Sequence, residues 1–104
     1  MSAFRVSSYA DEDIESIFRY TVKKWGVDQA DSYFELLATA RDSIAANPFL
    51  PGSSDRGDLA AGCRTFRCGK HVFFSRIHNN TVEIARILHQ AMDFEKHVSE
   101  ENFP

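Results

Sequence analysis

Residues 81–93 read TVEIARILHQAMD, and their patterning decides the architecture. Ile84-Ala85-Arg86-Ile87-Leu88 is apolar on both faces apart from Arg86. That predicts a central strand covered on both sides or packed beneath helices. Working backwards, Asn79-Asn80 predicts a tight turn, because asparagine tolerates the positive φ that such turns need. It leads out of a strand over His71–His78. Gly69-Lys70 predicts the turn before it, out of a strand over Cys63–Cys68. The last strand runs to about His89, and the tail from Gln90 to Pro104 is short and mostly polar.

The N-terminal half has a different period. Phe4–Ser8 alternates and predicts a short first strand. Ala10, Ile14, Ile17, Phe18, Thr21 and Trp25 then recur at steps of three and four, which predicts a helix with one apolar face. Ser7 or Ser8 caps its start. Asp11, Glu12 and Asp13 suit the positive end of its dipole, Lys23 and Lys24 suit the negative end, and Gly26 stops it. A second helix follows with Asp28 as N-cap. Ala30, Tyr33, Phe34, Leu37 and Ile44 lie on one face, interrupted by Arg41, and Asn47-Pro48 ends it. Two helices joined by two or three residues fold back as an antiparallel hairpin.

Between the halves, Pro48 to Gly62 is rich in Pro, Gly, Ser and Asp, which predicts a loop and the most mobile part of the chain. The element order is β-α-α-β-β-β. It predicts an α+β fold: an N-terminal strand and an antiparallel two-helix hairpin packed on a mostly antiparallel three- to four-stranded sheet. A chain of 104 residues is expected to form one domain, residues 1–104, around one core.

Composition narrows the function classes. With 12 bases and 15 acids the net charge is −3, which argues against bulk electrostatic binding of nucleic acid. No run approaches 18 apolar residues, and the opening MSAFRVSSYADEDIE turns acidic at once, so neither a membrane span nor a signal peptide is expected and the location is read as cytoplasmic. The charge is uneven. Residues 1–52 hold five bases and eight acids, whereas residues 56–89 hold six bases and two acids.

Candidates for chemistry are few. Cys63 and Cys68 lie five apart on one strand, hence on opposite faces and about 16 Å apart at roughly 3.3 Å per residue. They are read as small hydrophobes. His71, His78, His89 and His97 lack the paired short spacing of a zinc site, and Gly52, Gly57 and Gly62 lack the pattern of a phosphate loop. No metal or cofactor is expected. His89 ends the apolar central strand and is read as mainly structural.

A family resemblance emerges from four segments. They are Tyr20-x4-Trp25-Gly26-x2-Gln29-Ala30-x2-Tyr33; Ala46-Asn47-Pro48; Gly62-Cys63-Arg64-x-Phe66-x2-Gly69-x-His71-Val72-x-Phe74; and Ile84-x-Arg86-Ile87-Leu88-His89-x2-Met92-Asp93. Together they resemble a ParE-type toxin of the RelE/ParE superfamily, from about Phe4 to His97. The resemblance implies the toxin half of a type II toxin–antitoxin pair, with DNA gyrase as the target. It implies neutralisation by a ParD-like antitoxin with a helical C-terminal segment, and operator DNA binding through that antitoxin. It also implies inhibition by binding, without catalytic residues. RelE-type relatives instead cut mRNA on the ribosome. Here no tyrosine follows Tyr33, and Gln90, Ala91 and Met92 stand where cations would be wanted, which favours gyrase inhibition by binding; the endoribonuclease and a degenerate toxin that only binds antitoxin are the alternatives. The antitoxin surface is assigned to Phe18, Trp25, Tyr33, Phe34, Leu37, Arg64, Arg67 and Arg86. The target surface is assigned to Arg67, Lys70, His89, Met92 and Asp93.

Overall fold

Serine 7 sets the first boundary. Its backbone is extended and its hydroxyl accepts a hydrogen bond from the Ala10 N–H at 3.0 Å, so the first strand ends at Val6, two residues earlier than the alternation predicts. The computed structural model describes residues 3–104. It contains β1 (Ala3–Val6), α1 (Ser8–Trp25), α2 (Val27–Ala46), β2 (Ser53–Asp55), β3 (Arg64–Cys68), β4 (His71–His78), β5 (Thr81–His89), α3 (Phe94–His97) and a final 3-10 turn (Glu100–Asn102).

The architecture is α+β, and the sheet is mixed but mostly antiparallel. Its strand order is β1-β5-β4-β3-β2, with β1 parallel to β5 and the other pairs antiparallel. Five strands stand where three or four are expected from the sequence. The extra one is β2, three residues inside the Pro48–Gly62 segment, too short and too polar for any periodicity to show. That segment is more than a connection. Besides β2 it supplies Ala60, which is buried, and Leu59, which packs beside it.

The helices meet with a single residue between them. Gly26 ends α1 and begins α2 at φ +94°, and Asp28 falls in the first turn of α2 instead of capping it. A β-carbon at Gly26 would meet nothing within 4 Å, so the demand for glycine there is purely conformational. Asn79 and Asn80 both adopt left-handed φ, 50° and 60°, as the β4–β5 turn requires.

The central strand is apolar on both sides because it separates two clusters. Toward the helices, Val82, Ile84 and Ile87 pack with Phe73, Ala10, Leu37, Ala40 and Ile44. On the opposite face, Ala85 and Leu88 pack with Cys63, Val72, Phe74, Val98 and Phe103. A bulge makes this possible. Phe74 pairs with Arg86 and Ser75 with Ile84, so Ala85 is the extra residue, and the face of β5 that meets the helices shifts from even to odd positions.

The single core expected from chain length is thus two clusters on the two faces of one sheet. The tail builds the second. Val98, Asn102 and Phe103 are buried, and burying side chains such as Val98 and Phe103 contributes about 2 kcal/mol each. Phe94 stacks edge-on against Phe74 at 4.9 Å. Arg76 binds Glu83 at 2.9 Å and Glu100 at 2.7 Å, with its guanidinium 4.2 Å from the Phe103 ring.

Candidate functional site

Strand β1 pairs with β5 only as far as Ile84, which leaves the end of β5 without a strand neighbour on that side. Asp13 of α1 substitutes for one. Its carboxylate accepts the Ile87 N–H at 3.0 Å and both Nε and Nη2 of Arg86 at 2.8 Å. The pair is largely buried, with 13% and 17% of the side chains exposed. Hydrogen bonding to Asp13 raises the Arg86 pKa above its usual value. Arg86 also donates to the His97 carbonyl at 3.0 Å, tying α1 to the tail.

Beyond this clamp an open cleft of about 990 Å³ separates α1 from the end of the sheet. Tyr20, Lys24 and Trp25 of α1 form one wall, Gln29 and Tyr33 of α2 a second, and Gly69, Lys70, His71, His89 and Met92 a third. Tyr20 and Trp25 are 60% and 63% exposed. The Lys24 ammonium lies over both rings, 5.6 and 5.4 Å from their centroids, and donates to the Tyr20 hydroxyl at 3.1 Å.

The third wall is fixed by Tyr33. Its hydroxyl accepts the Lys70 N–H at 3.1 Å and lies 2.6 Å from His71 Nδ1. Burial raises the Tyr33 pKa, and burial followed by the charge of His89 lowers that of His71 to about 4. Tyr33 therefore keeps its proton and donates it, which assigns the His71 proton to Nε2. His89 reaches the same tautomer independently, because its Nδ1 accepts the Ala91 N–H at 3.1 Å. The two imidazoles meet edge to face at 5.5 Å. Two histidines thus present N–H donors, and neither free ring nitrogen is a base.

The residues proposed from sequence separate into groups. Trp25, Tyr33, Lys70, Arg86, His89 and Met92 all line the cleft. Arg86 is engaged there by Asp13. Phe18 and Phe34 meet edge-on at 6.2 Å, and Phe34 is 42% exposed. Leu37 is buried in the helix-side cluster and offers no surface. Arg64 donates to Ser53 at 2.9 Å and stacks 4.8 Å from the Phe49 ring centroid, away from the cleft. Arg67 is exposed and donates to the Gly69 carbonyl, and Asp93 begins α3 with its side chain exposed. Asp13, Tyr20, Lys24 and His71 were not singled out from sequence as a site. Tyr20 and His71 stand in the family-like segments but carry no assigned role there, Lys24 meets its neighbours Tyr20 and Trp25 on α1, and Asp13 acts through partners up to 74 residues away.

Cys63 and Cys68 face different clusters, and burial raises the Cys63 pKa to about 11. Among the described residues no group of three or more His, Cys, Asp or Glu is placed to hold a metal ion. No helix among them is long and apolar enough to cross a membrane.

The profile of a family described as ParE toxin of type II toxin–antitoxin system, parDE, matches residues 4–94. The chain is 35% identical over 98 residues to a Toxin ParE1 of Mycobacterium tuberculosis, covering 93% of this chain and 98% of that protein. It is 38% identical over 98 residues to a Toxin ParE1 of Caulobacter vibrioides, covering 94% and 99%. Among solved structures, one titled Chromosomal ParDE TA system from P. aeruginosa superposes with a TM-score of 0.71 at 18% identity, covering 86% of this chain and 96% of that one.

Proposed function

The chain belongs to the ParE toxin family of type II toxin–antitoxin systems, and from that membership we propose that it inhibits DNA gyrase by binding and catalyses no reaction of its own. The observation that carries the second half of this reading is the state of the cleft histidines. Metal-free cleavage of RNA needs a base for the 2′-hydroxyl and an acid for the leaving oxygen. His71 spends its lone pair on Tyr33 and His89 spends its own on Ala91, so both offer donors only. Donors and exposed aromatics suit recognition of a surface. On this reading Lys70, His89 and Met92 at the cleft rim contact the target, with Arg67 and Asp93 flanking them.

A ParD-like antitoxin neutralises the toxin in this account and carries it to operator DNA. Exposed Trp25 and Phe34, with Phe18 behind, offer anchors for an amphipathic helix. Tyr33 lines the adjoining cleft, and Arg64 and Arg67, outside it, are assigned to pair with partner carboxylates. Leu37 and Arg86 act beneath this surface, through the core and the Asp13 clamp. The toxin acts in the cytoplasm as a single domain, residues 1–104. Adding the purified protein to gyrase with relaxed plasmid, and separately to a translating extract, tests the reading. Loss of supercoiling with intact translation is expected. Codon-phased mRNA cuts with unaffected gyrase contradict it.

A further inference from the structure

The cleft combines features that recognition of a protein surface does not by itself require. Two ammonium groups, Lys24 and Lys70, stand at its rim, and among the described residues neither meets a carboxylate within ion-pair distance. The one carboxylate in the lining, Asp13, is consumed by Arg86. His71 and His89 line it too, and with Nδ1 of each engaged as an acceptor their N–H donors lie on Nε2. Trp25 is exposed on one side, and Met92, 38% exposed, lines the cleft from the segment after β5.

We propose that this cleft is a binding site for a free nucleoside phosphate, with the base against Trp25 and the phosphates held by Lys24, Lys70 and the imidazole N–H groups. Each part of the ligand has a counterpart. An indole face stacks on a flat heteroaromatic ring, ammonium groups and neutral donors balance a phosphate, and no unpaired carboxylate in the lining repels it. The volume, about 990 Å³, lies in the range of small-ligand sites. Charge distribution disfavours a nucleic-acid strand that runs on over the helices, whereas a free nucleotide stays within the cleft. The helical half of the chain holds eight acids against five bases, so a strand leaving the cleft across α1 and α2 would meet repulsion. This inference stands apart from the gyrase reading, since it concerns the toxin alone.

Trp25 is the only tryptophan in the chain and reports on the site directly. The experiment titrates the purified full chain with ATP, following Trp25 emission on excitation at the red edge, with calorimetry as a second readout. A saturable change with a Kd below about 1 mM is expected. Lys24→Ala with Lys70→Ala should weaken it at least about tenfold, whereas Lys23→Ala, outside the cleft, should not change it. Both lysines are exposed, so circular dichroism should be unaltered. No saturable response to ATP overturns the proposal. Tripolyphosphate binding as tightly as ATP also overturns it, because the site then reads charge alone. A single-stranded oligonucleotide binding about tenfold more tightly than ATP overturns it in favour of a strand.

Discussion

The Tyr33 hydroxyl occupies the space where a side chain at Gly69 would begin. A β-carbon built on Gly69 would lie 2.8 Å from Tyr33 Oη and 2.9 Å from Cε1, and the φ of Gly69 is +60°. Two demands coincide there, a left-handed backbone and a close approach, whereas Gly26 carries only the first. The same hydroxyl anchors His71 and the Lys70 N–H, so the β3–β4 turn and the cleft wall depend on one contact.

Gly69→Ala should therefore destabilise the fold by about 2 kcal/mol or more, the sum of a left-handed alanine and a displaced Tyr33. In a Tyr33→Ala background the penalty should fall to about 1 kcal/mol, because only the backbone demand remains. Urea unfolding of the four proteins checks this. Equal penalties in both backgrounds would show that the close approach costs nothing.

Acid should weaken the protein through His71. Its folded pKa of about 4 lies below the ordinary 6.5, so between these values the unfolded chain binds the proton and the folded one does not. The stability is fully present above pH 6.5 and is lost as pH falls toward about 4. After a discount for partial exposure the loss is on the order of 1–2 kcal/mol. Comparing wild type with His71→Gln across this window isolates the group, and the variant should show the smaller slope. Parallel curves would refute the assignment.

Breaking the Asp13–Arg86 clamp should be costly. Asp13→Ala leaves the Arg86 guanidinium and the Ile87 N–H without their acceptor in a largely buried place, a loss of roughly 3 kcal/mol. By contrast Glu15→Ala, which removes an exposed pair with Arg19, should change stability by less than about 0.5 kcal/mol. Thermal unfolding of the two variants should rank them in that order, and similar midpoints would contradict it.

Trp25→Ala should separate binding from folding. With 63% of the residue exposed, its removal should shift stability by less than about 0.5 kcal/mol while lowering affinity for a ParD-like antitoxin at least about tenfold. Calorimetry with the antitoxin measures the second quantity. Unchanged affinity would remove Trp25 from the interface.

The parts of the fold legible in the sequence are those written in local periodicity. The steps of three and four from Ala10 to Trp25 announce α1, and the two-sided apolar run from Ile84 to Leu88 announces β5 between two layers. The bulge at Ala85 explains why that run looks unlike an alternating strand. Three residues cannot reveal β2, because its reason lies in its pairing with β3. The tail looks polar because Val98 and Phe103 are isolated among exposed neighbours, although they close the second cluster. At the site, Trp25, His89 and Met92 stand on named positions of the family-like segments, and Lys70 lies between two of them, Gly69 and His71. Asp13 and His71 act through partners 73 and 38 residues away, so only the folded chain identifies their roles.

The most direct test of the central claim is gyrase supercoiling of relaxed plasmid, measured against increasing toxin with and without a ParD-like antitoxin. The account predicts dose-dependent loss of supercoiling, restored by the antitoxin, with no cleavage of mRNA in a parallel translating extract. Full supercoiling at saturating, folded toxin together with ribosome-dependent mRNA cleavage would contradict it.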